Sequence, residues 1–387
     1  MESIAKDLDE RAQVLVDPYY GFTIQFLTTI VVAISLITSI NFLIDPWNFF
    51  QTPKISGLNT FKSELGSQQC LFKARQIHFT KPDSIIIGSS RVMTGLDPKQ
   101  LQKYTQTKNG FNAGFAGARF DEIYAYFQYA LNQSPKLKSV IIGIDLFAFN
   151  EKKPPREDFC KERLQQNITF TDLCFSLFNK QTFMASLKTF YSNFNHKAQS
   201  VFLENGFSNP QCKEDIAMSD KDLLRLFFQS PVFYKNFSFS KERIDLFKQI
   251  VKTCQEKNID LKVYINPSQD IYWEALCQRG YSSHLDLLKR ELAQIFPIWD
   301  FSGFNLVTRQ EIEGVKNLYS DCSHFTSTVG NLIFEKMFKG SSLPFGKLLT
   351  KETVDQQIQE FYEERVAWKE NNQSKLNQLE NILNNLN

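Results

Sequence analysis

Between Asp17 and Asp45 the chain carries no charged residue. Within that interval Gly21 to Ile44 reads GFTIQFLTTIVVAISLITSINFLI. A helix needs about 20 apolar residues to cross a bilayer, and this stretch is long enough. Its threonines and serines, with Gln25 and Asn41, make it a span of moderate hydropathy. Such a segment has two physical solutions, lipid around it or a protein core around it. A cleaved leader fits less well: the apolar run exceeds the ~7–15 residues of a leader's hydrophobic region, and no small-residue cleavage pattern follows. The reading adopted is a single-pass membrane helix over 21–44, after an N-terminal tail over 1–20. Lys6 and Arg11 precede it and Lys54 and Lys62 follow it, so the positive-inside rule gives little direction.

Beyond the span, residues 45–80 read as a linker. Trp47, Phe49 and Phe50 suit either the membrane interface or packing on a folded domain. From there short apolar runs alternate with helical patterns. Runs at 84–88 (SIIIG), 138–149 (KSVIIGIDLFAF), 259–268 (IDLKVYINPS) and 296–303 (FPIWDFSG) read as strands. Asp97 and Pro98 mark a helix start, and 111–133 reads as a Gly-rich turn opening an amphipathic helix. Alternation of this kind predicts an α/β fold, a three-layer α/β/α parallel sheet over 81–345. Loops at the C-terminal ends of its strands are then the place for an active site. Residues 151–258 read as a mostly helical insertion, and 241–258 as a crossover helix. The tail over 346–387 is helical, with Leu376, Leu379, Leu383 and Leu386 in 3-4-3 spacing. That seam fits a helix docked on its own domain or one that binds a partner.

Composition excludes some chemistry. A net charge of +2 without a basic stripe gives no footprint for nucleic acid. The 7 cysteines show no CxxC spacing, so no metal site and no cofactor is expected. The 37 phenylalanines suit a large aromatic core, or aromatic surface exposed to lipid or sugar.

Of the 4 histidines, His78, His196 and His284 stand apart from acidic residues or cysteines at ligand spacing. His324 lies in YSDCSHFTSTVG, three residues after Asp321. A serine nucleophile needs an imidazole base held in one tautomer by a carboxylate. The serine candidates are Ser89 and Ser90 in GSSR, at the end of the first strand. Arg91 and Arg119 follow the two glycine-bearing turns, where they would bind an anionic group or sit as solvated rim charges. Cys322 reads as a packing residue.

The order of these pieces resembles the SGNH (GDSL-type) hydrolase superfamily over roughly residues 80–340. The resemblance implies a flavodoxin-like sheet, with Ser90 as nucleophile, Ser89 in place of the usual aspartate, His324 as base and Asp321 as its orienter. It also implies oxyanion-hole N–H groups at Ser90 and at Gly117, from the block Asn112-Ala-Gly114-Phe-Ala-Gly117. The third block departs from the family pattern. Its strand ends Gly143-Ile144-Asp145, with no asparagine to donate to the oxyanion. Arg91, Asn112 and Asp145 are therefore the remaining candidates for an oxyanion or substrate contact. The membrane helix and the GSS block are similar to the anchored proteins of cell-envelope acylation, of the alginate O-acetylation and D-alanyl-teichoic-acid types. That likeness implies a serine-dependent acyltransferase or esterase acting on an envelope polysaccharide or glycopolymer. It further implies an extracytoplasmic (periplasmic) catalytic domain and a multi-spanning membrane O-acyltransferase as partner. A catalytically inactive scaffold or polysaccharide-binding subunit on the same fold is the alternative.

Overall fold

The computed structural model describes residues 20–195, 199–212 and 218–384. It divides into two compact units. One holds the described residues up to Glu64 together with those of 168–198, and the other holds 65–167 and 199–387. The segment read as one insertion is therefore split between them. Its 168–198 portion belongs with the apolar helix, and the rest belongs with the sheet.

In the first unit the apolar segment forms one helix, Tyr20–Ile44, whose residues before position 37 are all exposed. Its 18-residue apolar window has a mean hydropathy of 2.2 and is 11% buried, so the core-helix solution does not apply. The helix is long and apolar enough to span a membrane. Trp47 and Phe49 are 1% and 2% exposed, and Trp47 stacks on Phe175 at 5.0 Å. For these two residues the structure selects packing over an interfacial belt.

The second unit is built on a mixed sheet with the order β2-β1-β3-β4-β5-β6. The strands are β1 (Ser84–Gly88), β2 (Gly110–Gly114), β3 (Ser139–Ile144), β4 (Asp260–Ile265), β5 (Ile298–Asp300) and β6 (Lys347–Leu349). The first five are parallel, and β6 closes the edge antiparallel to β5. Strand side chains alternate between faces, and here both faces are covered. Ile85, Ile87, Val140 and Ile142 face one core, beneath the helices Phe120–Gln133 and Lys241–Glu256. Ile86, Ile141 and Tyr264 face the other, beneath Ser327–Lys339. Burial on both sides is why these strands read as unbroken apolar runs.

Several sequence expectations shift. The block at 110–114 is a buried strand rather than a turn, because Asn112 satisfies its own side chain inside the fold. The helix Gln69–Thr80 packs its Cys70, Ala74 and Ile77 into the sheet core, so the linker is shorter than 45–80. The tail also belongs to the domain. Leu376, Leu379 and Leu383 are buried in the core, and Leu386 lies outside the described residues. Trp368 Nε1 donates to Asp270 at 2.8 Å, and Arg365 pairs with Glu274 at 2.7 Å. The seam is thus docked on its own domain.

Two backbones cross closely where the site is built. A Cβ on Gly330 would fall well inside van der Waals contact distance of the Gly95 carbonyl oxygen. Glycine to alanine inside a helix ordinarily stabilises by about 1 kcal/mol. Gly330→Ala is expected to do the opposite, losing about 1–3 kcal/mol through overpacking. Denaturant unfolding of the purified protein measures the sign.

Candidate active site

Strand β1 ends at Gly88, and the chain turns at once into the short helix Ser90–Gly95. Ser89 is its N-cap, and its side chain accepts the Arg91 N–H at 3.2 Å. Serine and aspartate cap helices about equally well, so either residue at this position gives the same local physics. Ser90 is thereby the first helical residue. Its N–H belongs to the helical turn that has no intrahelical acceptor.

His324 arrives from the other end of the sequence on a tight loop, closed by the Ser320 N–H donating to the His324 carbonyl at 2.9 Å. Its Nε2 lies 2.9 Å from Ser90 Oγ, across 234 positions of sequence. Its Nδ1 lies 2.7 Å from Asp321 Oδ2. The other carboxylate oxygen, Oδ1, accepts the Ser323 and His324 backbone N–H groups, each at 2.8 Å. Burial works to raise the Asp321 carboxyl, but the His324 hydrogen bond and charge, with those two N–H groups, hold it below the ordinary range. An ionised Asp321 accepts a proton-bearing Nδ1, which leaves the Nε2 lone pair facing Ser90. The Asp321 side chain is 3% exposed and that of His324 12%, so the relay is mostly shielded from water yet open at the imidazole.

The base loop is braced from behind by residues that the sequence did not single out. Gln269 N–H donates to the Cys322 carbonyl at 2.9 Å, and its side-chain amide donates to the Asp321 carbonyl at 3.1 Å. Asp220, the first residue of the Asp220–Gln229 helix, accepts the Cys322 N–H at 2.7 Å. The polar sequence NPSQ at 266–269, directly after β4, was the available signal for Gln269. Nothing in the sequence pointed to Asp220. Cys322 itself is buried, and burial pushes its thiol pKa up, as expected of a packing residue.

Arg91 lies inside the fold and not on its rim. It is 2% exposed, neither a rim charge nor a surface contact for a polymer. Its NH1 donates to Asp145 and its Nε donates to Ser323 Oγ at 3.0 Å. The guanidinium lies over the Tyr272 ring at 4.6 Å, with Phe147 and Phe227 each at 5.6 Å. Burial opposes its charge, but Asp145 outweighs that and holds its pKa above the ordinary value. Asp145 in turn accepts Asn266 Nδ2 at 3.0 Å. The carboxylate at the third-block position is thus an ion-pair partner and carries no donor for an oxyanion. Asn112 is excluded as well: both of its amide hydrogens are used, on the Val92 carbonyl at 2.9 Å and the Leu96 carbonyl at 2.8 Å.

Gly117 differs from its neighbours. The N–H groups of Gly114, Phe115, Ala116 and Ala118 donate to Asn112 Oδ1, the Gly88 carbonyl, Gln69 Oε1 and the Phe115 carbonyl. Among the described residues, the Gly117 N–H in this stretch has no acceptor. The residue sits at φ +60°, which glycine adopts freely, and faces Lys153 and Phe233. Arg119 pairs with Asp121 beside it, in the first turn of its helix. Of the other histidines, His78 binds Gln133 at 2.8 Å and His284 packs on Phe237, while His196 lies outside the described residues. No cluster of His, Cys, Asp or Glu suited to a metal occurs among the described residues.

No family model matches this chain, and no curated protein matches it. Among solved structures it is similar to a Streptococcus pneumonia protein provisionally described as a platelet activating factor. The identity is 12% and the TM-score 0.34, with 72% of this chain and 96% of that chain covered. A likeness so remote has no bearing on activity.

Two outcomes follow from the site's electrostatics. Removing one partner of a buried ion pair strands the other, so Arg91→Met is expected to cost about 3–5 kcal/mol in urea unfolding. Adding Asp145→Leu should recover most of that loss. The Asp321 carboxyl, held below its ordinary range, stabilises the fold above ~pH 4 and loses that contribution as the pH falls lower. Acid titration of unfolding should therefore show wild type and Asp321→Asn converging below that pH, with a gap that opens only above it.

Proposed function

We propose that the chain is a membrane-anchored, serine-dependent acyltransferase or esterase of the SGNH type, with Ser90 as nucleophile. One observation supports this above the others: Ser90 Oγ, His324 and Asp321 form an unbroken hydrogen-bonded relay at 2.9 Å and 2.7 Å. In the proposed reaction His324 Nε2 takes the Ser90 hydroxyl proton as Oγ bonds to the acyl carbonyl carbon. The resulting oxyanion is met by the N–H groups of Ser90 and Gly117, neither of which has another acceptor among the described residues. Collapse breaks the bond to the leaving group, which leaves with the proton from Nε2, and an acyl-Ser90 ester remains. An incoming hydroxyl then gives its proton to Nε2 and attacks that ester, which restores Ser90. Water as acceptor makes the protein an esterase. A sugar hydroxyl makes it a transferase, and an envelope glycopolymer with a partner O-acyltransferase supplying the acyl group is the proposed setting.

The inactive-scaffold alternative turns on the missing third-block donor. Losing one oxyanion donor typically costs about 10²–10³ in rate, which slows a relay of this kind without abolishing it. A fluorophosphonate probe on the purified full chain tests the point. Wild type is expected to be labelled at Ser90, Ser90→Ala not at all, and Asp321→Asn on the order of 10⁴ more slowly. An unlabelled wild type across neutral and alkaline pH would refute a working nucleophile and leave the scaffold reading.

A further inference from the structure

The unit that contains the apolar span also contains two helices, Phe170–Phe178 and Lys180–Phe194. The second is inside out. Its buried residues are Thr182, Ala185, Ser186, Thr189 and Asn193, all small or polar. Its exposed side includes Met184 at 47%, Leu187 at 41%, Tyr191 at 69% and Phe194 at 65%. These four follow a 3-4-3 spacing and form one stripe on the helix. The shorter helix behaves likewise: Asp172 and Ser176 are buried, while Phe170 and Phe178 are 80% and 53% exposed.

In water this arrangement is unfavourable twice over, since large apolar groups are hydrated while polar ones are enclosed. In lipid it is the expected one. Helices there pack through small and hydrogen-bonding residues and turn their large apolar side chains outward. Part of that polar interior is hydrogen-bonded, although the Ser176 and Thr189 hydroxyls are buried without a partner among the described residues. Asn41 of the span is fully buried, donates to the Leu177 carbonyl at 2.8 Å and accepts Ser186 Oγ at 2.9 Å. Asn193 Nδ2 donates to the Phe61 carbonyl at 2.8 Å. The helices therefore join the span at its last turn.

We infer that the helical pair over 170–194 is a second membrane element, lying in the acyl–headgroup boundary of the leaflet that receives the Ile44 end of the span. Its length suits that placement. At 1.5 Å per residue, 9 and 15 residues are too short to cross a bilayer of about 30 Å, but long enough to lie along its interface. The occupant of the exposed stripe is lipid, because the pair is hydrogen-bonded to the apolar helix through its small and polar side and turns its large apolar side chains outward, as helices in lipid do. The inference rests on the reading of Tyr20–Ile44 as a span, and its test separates the two.

The full chain is reconstituted into phosphatidylcholine vesicles with and without brominated acyl chains, as Tyr191→Trp and, separately, Phe26→Trp. Both substitutions replace one exposed aromatic by another and leave the packed interior untouched. Bromolipid is expected to cut the emission of each variant relative to wild type. Quenching at position 26 without quenching at 191 overturns the second element and leaves the span standing. Absence of quenching at both positions overturns the span, and the inference with it. Quenching at 191 alone would remove the span, and with it the placement of the helical pair beside the span's Ile44 end, so it too overturns the inference.

Discussion

The buried pair of Arg91 and Asp145 is the interaction on which the candidate site depends. Arg91 directly follows the candidate nucleophile, Asp145 directly follows β3, and Ser323, which Arg91 also contacts, directly precedes His324. One guanidinium therefore ties together three chain segments that have no local reason to meet. A charge in that position has a large desolvation cost, and the site offsets it with a carboxylate, a hydroxyl and aromatic faces. A planar fork with fixed donor directions suits this better than a lysine, whose single ammonium cannot hold two acceptors at set angles. The resulting geometry brings Ser90 Oγ and His324 Nε2 within bonding distance.

The same pair accounts for the chemistry that is missing. A third-block asparagine would offer an N–H to the developing oxyanion. Here that strand end carries Asp145, whose oxygens are occupied by Arg91 and Asn266. Neutralised in this way, the carboxylate does not set an uncompensated negative charge beside the nucleophile. The pair is instead a rigid ionic tie between the segments that carry Ser90 and His324. On the proposed reading, pre-organisation of the relay and stabilisation of the oxyanion are separate contributions, and the geometry provides for the first more than for the second.

Much of this was legible in the sequence, for reasons that are local. Strands buried on both faces announce themselves as apolar runs, which is why SIIIG and SVIIGI are legible. Strand β2 was missed because GFNAG has the composition of a turn. Only the fold shows that the Asn112 amide caps the Val92 and Leu96 carbonyls and lets a glycine-rich segment lie in a sheet. The Asp321–His324 spacing was readable because both residues sit on one loop. Arg91 was misread because a sequence shows a charge but not its burial, and its partner lies 54 positions away. Asp220 gave no signal at all. An aspartate at the start of a helix is explained by the helix itself, yet here it also holds the Cys322 N–H.

The stretch 151–258 makes the same point about amphipathic patterns. A pattern of apolar and polar residues fixes which side of a helix differs from the other, but not which side faces in. In the Asp220–Gln229 helix Leu223, Leu224, Phe227 and Phe228 turn inward, and Phe227 reaches the Arg91 guanidinium. In the Lys180–Phe194 helix the large residues turn outward instead. The deciding residue is Asn41, which lies far away in the sequence within the apolar span. Its amide needs partners wherever it is buried, and it finds them on the polar side of that helix and on the helix before it. Asn193 adds a second such tie, to the Phe61 carbonyl. The partners that hold the polar side inward lie outside 170–194, so a reading of that stretch by itself could not have given the inversion.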